Sequence, residues 1–417
     1  MPDITIIKPI FNDKTKEILF FTGSRGHHSD IGGITPGSMP PNSMHIEEEG
    51  VLIENFLIVE KGIFREQETK KLLLSGKHPS RNVEINISDL KAQIASCEKV
   101  SIELQKLIQE YGLNVVFAYM KHIRKNAEES IRKVIKKIEK SSSSYLLDDG
   151  TKINIKITPD KILRNVKIDF SGTSKPHPRN FNTPTSVAKA AVLYVFRTLV
   201  ADEIPINSGC LNPIKIIIPE ICLLKPKYPS AVVAGNVETS QNITEAIFAS
   251  LKILSGSQGT MNNFTFGNSK YQYYETIAGG TGAGKGFNGR AAVQAHMTNT
   301  KITDPEILEL RYPVVLKTHK IIHGSGGKGK WNGGDGTIRK IKFLEKMTAS
   351  ILSSHRIIPP HGINGGENGK CGKNWIERAN GTIEKEKTGC WEVNVFNGDT
   401  FSIQTPTGGG YGKQKIQ

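Results

Sequence analysis

Two short apolar runs rich in β-branched and aromatic residues open the chain, at residues 4–11 and 17–22, with the polar Asn12-Asp13-Lys14-Thr15-Lys16 between them. This pattern predicts a β-hairpin with a short polar loop. With the turn centred near Lys14, Asp3 faces Arg25, and Gly26 and His27 follow along the second strand. Residues 23–43 then mix Gly, Pro, Ser and His over a length that a plain connection does not need. Long irregular loops of this kind in compact domains usually carry function.

From Ser88-Asp89 the period becomes helical. Leu90, Ile94, Cys97, Leu104, Leu107, Ile108 and Tyr111 recur mostly at three- and four-residue steps behind a capping signal. Gly112 interrupts, and Val116, Tyr119, Met120, Ile123, Ala127, Ile131 and Ile135 continue the period to about Ile138. The expectation is a helical hairpin, with helices near 89–111 and 115–139. Ser141–Ser144 reads as a polar linker, which divides an N-terminal lobe, residues 1–140, from a C-terminal lobe, residues 141–417. Beyond it come strands at 152–157 and 163–170, helices around 186–200 and 242–254, and β-type runs alternating with Gly clusters at 278–289, 324–336, 365–369 and 408–412. No internal repeat is visible. The class is α+β, with mixed and antiparallel sheets, an inserted helical hairpin and Gly-rich loops, not a doubly wound βαβ array.

Composition changes this picture little. Hydrophobic residues at 37% and charged residues at 23% describe an ordinary globular chain. No apolar run reaches the ~18 residues of a membrane span. The start, Met1-Pro2-Asp3-Ile4, reads as neither signal nor transit peptide, which leaves the cytoplasm as the default compartment. Five cysteines without a C-x-x-C pair read as reduced thiols. The net charge of +15 is spread along the chain without interleaved aromatics, so nucleic acid is not expected, and a small anionic substrate fits the charge equally well.

Several segments bear candidate chemistry. The hairpin brings a carboxylate, Asp3, and an imidazole, His27, towards one rim. Such a pair suits two positions around a divalent ion such as Mn, Fe or Zn, or else forms a hydrogen bond that steadies the loop. His28 and Asp30 follow at once, as a proton-handling or metal-supporting pair or as the start of an Asx-type turn. Gly279–Gly286 nearly spells a phosphate-binding loop, but Gly286 stands where Ser or Thr must supply a hydroxyl to magnesium. A backbone nest for a carboxylate or phosphate stays open for that stretch.

The same segments resemble the hydantoinase B/5-oxoprolinase family. Ser24–Gly33 (SRGHHSDIGG), Ile34–Pro41, Glu47–Gly50, Ala234–Gln241 (AGNVETSQ), Tyr273–Gly284, Ala295–Tyr312, Gly324–Gly336 and Thr405–Gly412 carry the likeness in family order along the whole chain. The resemblance implies a subunit that opens a cyclic amide, 5-oxoproline or a hydantoin, together with an A-type partner that binds ATP with Mg and phosphorylates the substrate, in a hetero-oligomer. It also implies a metal held by an H-x-x-D pair and a later His. Asp3 matches the Asp and His27 the later His. The first His would fall just before Met1, so a family member shortened at its N-terminus is expected. A ketone carboxylase subunit of the same superfamily, or an inactive fragment that binds the partner, are the rival readings.

Overall fold

The computed structural model describes residues 3–12 and 15–414. β1 (Asp3–Phe11) and β2 (Ile18–His27) form the expected hairpin, but β2 runs on through Gly23–His27 and absorbs the start of the presumed loop. Asp3 pairs with His27 and not with Arg25: Phe11 pairs with Ile18, one residue beyond the expected register, and a bulge that leaves Leu19 over adds a second. The slip is two residues, so every side chain keeps its face. The predicted turn centre, Asp13 and Lys14, lies outside the described residues. A minimal hairpin, β3 (Val59–Glu60) and β4 (Ile63–Phe64), and a short helix, α1 (Glu66–Leu73), follow.

The helical pair is α2 (Val83–Tyr111) and α3 (Leu113–Ile135). α2 starts earlier than its apolar period suggests, because the Asn82 side chain accepts from the Ile85 amide and caps it. Gly112, at φ 82°, makes the corner between the two helices. Ile87, Leu90 and Cys97 of α2 pack against Ile4 and Ile6 of β1, so the hairpin rests on this helix.

Ser141–Ser144 is not a linker. It is the first part of β5 (Ser141–Leu146), paired antiparallel with β6 (Lys152–Asp160). Its serines alternate towards the helix that follows later in the chain: Ser141 Oγ meets Ser250 Oγ at 3.0 Å and Ser143 Oγ donates to the Ala246 carbonyl at 3.4 Å. Tyr145 of the strand and Leu147 just past its end enter the core. β7 (Asn165–Asp169) extends the sheet, α4 (Thr185–Thr198) crosses over, and β8 (Ile214–Ile217) returns parallel to β7. α5 (Ser240–Leu251) completes this layer. One core joins Ile131 and Ile135 of α3, Ile153–Ile157 of β6, Val192 and Phe196 of α4, and Ile243 and Ile247 of α5.

The remainder is a β-sandwich. β9 (Asn263–Gly267) and β10 (Gln272–Glu275) precede the short α6 (Pro305–Arg311). β11 (Val314–Ile321), β12 (Thr337–Phe343), β13 (Met347–Leu352), β14 (Lys373–Glu377), β15 (Ile383–Glu386), β16 (Cys390–Val395) and β17 (Thr400–Gln404) follow. They sort into sheets of order β10-β9-β13-β16 and β11-β12-β17-β14-β15. Phe264 meets Phe401 and Phe266 meets Phe343 between the two sheets. The buried Arg339–Glu275 pair also joins them, at 2.8 Å from Nε to Oε1.

The Gly clusters at the end of this sandwich pack backbone against backbone. Gly334 N donates to the Thr281 carbonyl, Gly408 N to Gly334, Gly327 N to Gly408, Ala283 N to Gly409, and Gly409 N to Gly256. A Cβ on Gly408 would lie 1.8 Å from the Thr281 oxygen, and one on Gly280 1.9 Å from that of Gly334. The amides of residues 280–284 all donate to protein acceptors, including Gly282 to Ser257 Oγ. The amides of residues 280–284 are therefore not free to cradle an anion.

Candidate functional site

Asp3 ends the hairpin beside His27, and the antiparallel register places both side chains on one face of the sheet. Asp3 Oδ1 and His27 Nδ1 share a hydrogen bond. Asp3 Oδ2 faces the Arg25 guanidinium at 3.5 Å and accepts from Asn236 Nδ2 at 3.2 Å. Burial opposes ionisation of this carboxyl, but the hydrogen bond with His27, helped by nearby positive charge, outweighs it and holds Asp3 below its ordinary value. The Asp3 side chain is 14% exposed and that of His27 35%, so the pair is reachable from solvent. Asp3, Arg25 and Asn236 line a cleft of about 480 Å³, closed on its other sides by Glu49, Val51–Ile53 and Ser186.

Asn236 was not foreseen as a site residue. It belongs to the Ala234–Gln241 segment, which folds as a five-residue π-turn, Gly235–Thr239, leading into α5. π-turns are rare and concentrate at functional sites. This one is held from both sides. Thr183 Oγ1 donates to the Gly235 carbonyl, Ser240 Oγ to that of Asn236 and Thr239 Oγ1 to that of Phe181. A side chain at Gly235 would strike the Asn182 carbonyl at 2.0 Å. The Asn236 amide is thus presented to Asp3 by a fixed backbone.

Two buried carboxyls support this frame. Glu49 accepts from the amides of Val232 and Val233, just before the turn, and from Ser43 Oγ. Glu238, within the turn, accepts from Thr260 Oγ1, the Met261 amide and Asn263 Nδ2. Burial pushes each up to about 7, against the pull of these hydrogen bonds. Glu47–Gly50 was noticed only as part of a familiar pattern. Nothing in the run Glu47-Glu48-Glu49 singles out Glu49 as the buried acid.

The structure does not bring His28 and Asp30 to the Asp3–His27 rim. Neighbouring residues at a strand end point to opposite sides, so His28 turns inward to α2. There its Nε2 bonds Gln93 Oε1 and its Nδ1 accepts from Asn86 Nδ2, both at 3.1 Å. Asp30 is buried and accepts from the Gly32, Gly37 and Arg81 amides and from the Arg81 guanidinium at 2.8 Å. These contacts organise the loop over residues 30–38, which is the Asx-type role.

Among the described residues no cluster of three His, Cys, Asp or Glu stands ready for a metal. Asp3 and His27 offer a carboxylate oxygen and an imidazole nitrogen side by side, which fits two positions of a divalent ion's shell. Catalytic sites usually supply three protein ligands. The cysteines are free, and burial pushes the Cys371 thiol up, away from reactivity.

The profile of the family described as hydantoinase B/oxoprolinase matches residues 1–414. A 5-oxoprolinase of Dictyostelium discoideum is 47% identical over 99% of this chain, which covers 33% of that protein. The chain thus spans about a third of the length of the curated relatives it matches first. An ATP-dependent caprolactamase from Pseudomonas jessenii superposes with a TM-score of 0.83 at 21% identity, over 99% of this chain and 74% of the other. A nucleotide-free acetone carboxylase superposes with a TM-score of 0.87 at 16% identity, over 98% of this chain and 62% of the other.

Proposed function

This chain belongs to the hydantoinase B/oxoprolinase family, and from that premise we propose that it is the B-type portion of an enzyme that opens a cyclic amide, 5-oxoproline or a hydantoin, with hydrolysis of ATP. The observation that carries the reading is the Asp3–His27–Asn236 constellation, whose Asp3 and Asn236 line a 480 Å³ cleft. An amide carbonyl is a poor electrophile. Phosphorylation of its oxygen by an ATP- and Mg-binding A-type partner, joined with this chain in a hetero-oligomer, activates the carbon. Water adds to it, and the tetrahedral adduct expels the ring nitrogen, which leaves protonated as the amine. A second water hydrolyses the acyl phosphate so formed to the carboxylate and phosphate. Asp3 and His27 would hold a divalent ion, Mn, Fe or Zn, which when bound supplies Lewis acidity and a more acidic water. Asn236 orients the Asp3 carboxylate through its second oxygen. Arg25, on the cleft wall, is placed to meet the carboxylate of a small anionic substrate.

The test is the assembled complex with its A-type partner, assayed for phosphate release and ring-opened product from 5-oxoproline. Asp3→Ala and His27→Ala should each abolish product formation while the complex still assembles. Wild-type turnover in both variants would overturn the reading. Bicarbonate-dependent carboxylation of a ketone, with no ring opening, would favour the carboxylase alternative instead.

A further inference from the structure

The hairpin that carries Asp3 has a free side. Among the described residues β1 has a single strand neighbour, β2. Two-stranded sheets are marginal in water, and exposed edges are normally blunted by charge or proline. β1 has one charge near its middle, Lys8, and that ammonium is drawn away to Glu98 on α2. Pro9, which has no N–H, sits where the amide faces outward; by the two-residue period the Thr5 and Ile7 amides face the same way. Alongside this edge runs a groove of about 880 Å³, with an apolar floor from Leu73, Leu90 and Ile94 and a far wall from Ile53, Phe56 and Leu57. From Ile4 to Phe11 the edge is about 24 Å long at the usual rise. On the outer face of the hairpin Ile7 and Phe21 are 65% and 66% exposed.

We propose that the β1 edge and this groove form a docking site for one added β-strand, an extended segment of alternating apolar residues. The added strand pairs with Thr5 and Ile7 through its backbone and seats every second side chain on the α2 floor. A row of unpaired backbone groups selects an extended chain over a helix, and a long apolar groove selects alternating hydrophobic side chains. The occupant is a segment from the part of an oxoprolinase that lies outside the region matched by this chain, since the longer relatives carry such a part. The site stands apart from the cyclic-amide reading, because strand binding is measured without turnover.

The probe is a set of short overlapping fluorescent peptides that tile the Dictyostelium discoideum 5-oxoprolinase outside the matched region, titrated against the full chain. One peptide, or a few neighbours, should bind and slow deuterium exchange at the Thr5 and Ile7 amides. Thr5→Pro, which removes an outward donor, should weaken binding about tenfold or more. Ile53→Asp on the far wall should weaken it similarly, and circular dichroism should report both variants folded. Tyr119→Ser, at an exposed position of α3 that does not line the groove, should leave binding unchanged. Absence of any binding peptide would overturn the proposal, as would binding that leaves Thr5 and Ile7 exchange unaltered. Concentration-dependent dimers of the chain alone that Thr5→Pro abolishes would also overturn it, in favour of a second copy on this edge.

Discussion

The glycine bundle and the opening hairpin meet the same demand, satisfaction of backbone hydrogen bonds, in contrasting ways. In the bundle, each segment is surrounded by other segments of the same chain, and the Gly408 amide and carbonyl both have partners from within it. Side chains are excluded there because there is no room for a Cβ. In the hairpin one edge is paired and the other is open, and large apolar side chains such as Ile7 and Phe21 face solvent. The bundle is closed and intolerant of change; the hairpin is open and tolerant. The candidate site draws on the tolerant element through Asp3 at its end and, separately from the bundle, on a rigid turn through Asn236.

The largest effect expected from this contrast is at Gly408. Gly408→Ala drives a methyl group into backbone on a segment hemmed in by its neighbours, and should cost about 4 kcal/mol or more or abolish soluble protein, read by thermal unfolding. Next is Arg339→Leu, which leaves Glu275 buried and uncompensated inside the sandwich, where both side chains are 1% exposed. A loss of about 3–5 kcal/mol is expected; a loss below about 1 kcal/mol would mean that Glu275 takes up a proton or finds another donor.

The third expectation concerns pH. Glu49 and Glu238 are pushed up to about 7 in the fold, whereas a free Glu titrates at about 4.3. Between those values the folded protein binds more protons than the unfolded chain, so their contribution is present below the unfolded pKa and lost as pH rises through about 7. Melting temperature should therefore fall from about pH 5 to about pH 8 on account of these groups. Glu238→Gln should flatten part of that slope; an unchanged slope would refute its raised value. Smaller again is Asn236→Ala, expected to lower the affinity for Mn, measured by calorimetric titration, by about 10–100-fold without a comparable drop in stability. Smallest is Ile7→Ser on the open hairpin, expected to shift stability by within about 0.5 kcal/mol. A large loss there would show that the outer face is covered in the free protein.

The elements with strong periods were legible in the sequence: the hairpin, the helical pair with its corner at Gly112, and the alternation of strands with Gly clusters. Register was not, since nothing in the order of residues announces that Leu19 is left over at a bulge. Four serines read as linker because their hydroxyls give no apolar signal, yet they make a strand by facing a helix that comes about a hundred residues later. In the candidate site Asp3 and His27 were found because strand pairing is a local rule. His28 and Asp30 were grouped with them by adjacency, which alternation along a strand overrides. Asn236 was missed because the contact with Asp3 spans 233 positions and depends on a π-turn that periodicity does not reveal.

The glycine bundle has a thermal consequence as well. Exposing hydrocarbon on unfolding raises heat capacity and exposing amide groups lowers it. The sandwich lined by Phe264, Phe266, Phe343 and Phe401 contributes in the first sense, while the bundle buries mainly peptide groups and contributes in the second. On cooling, the phenylalanine core loses driving force, and the bundle, held by hydrogen bonds, loses much less. In the cold the sandwich should therefore loosen first, with the glycine segments as the part of this half that holds on longest.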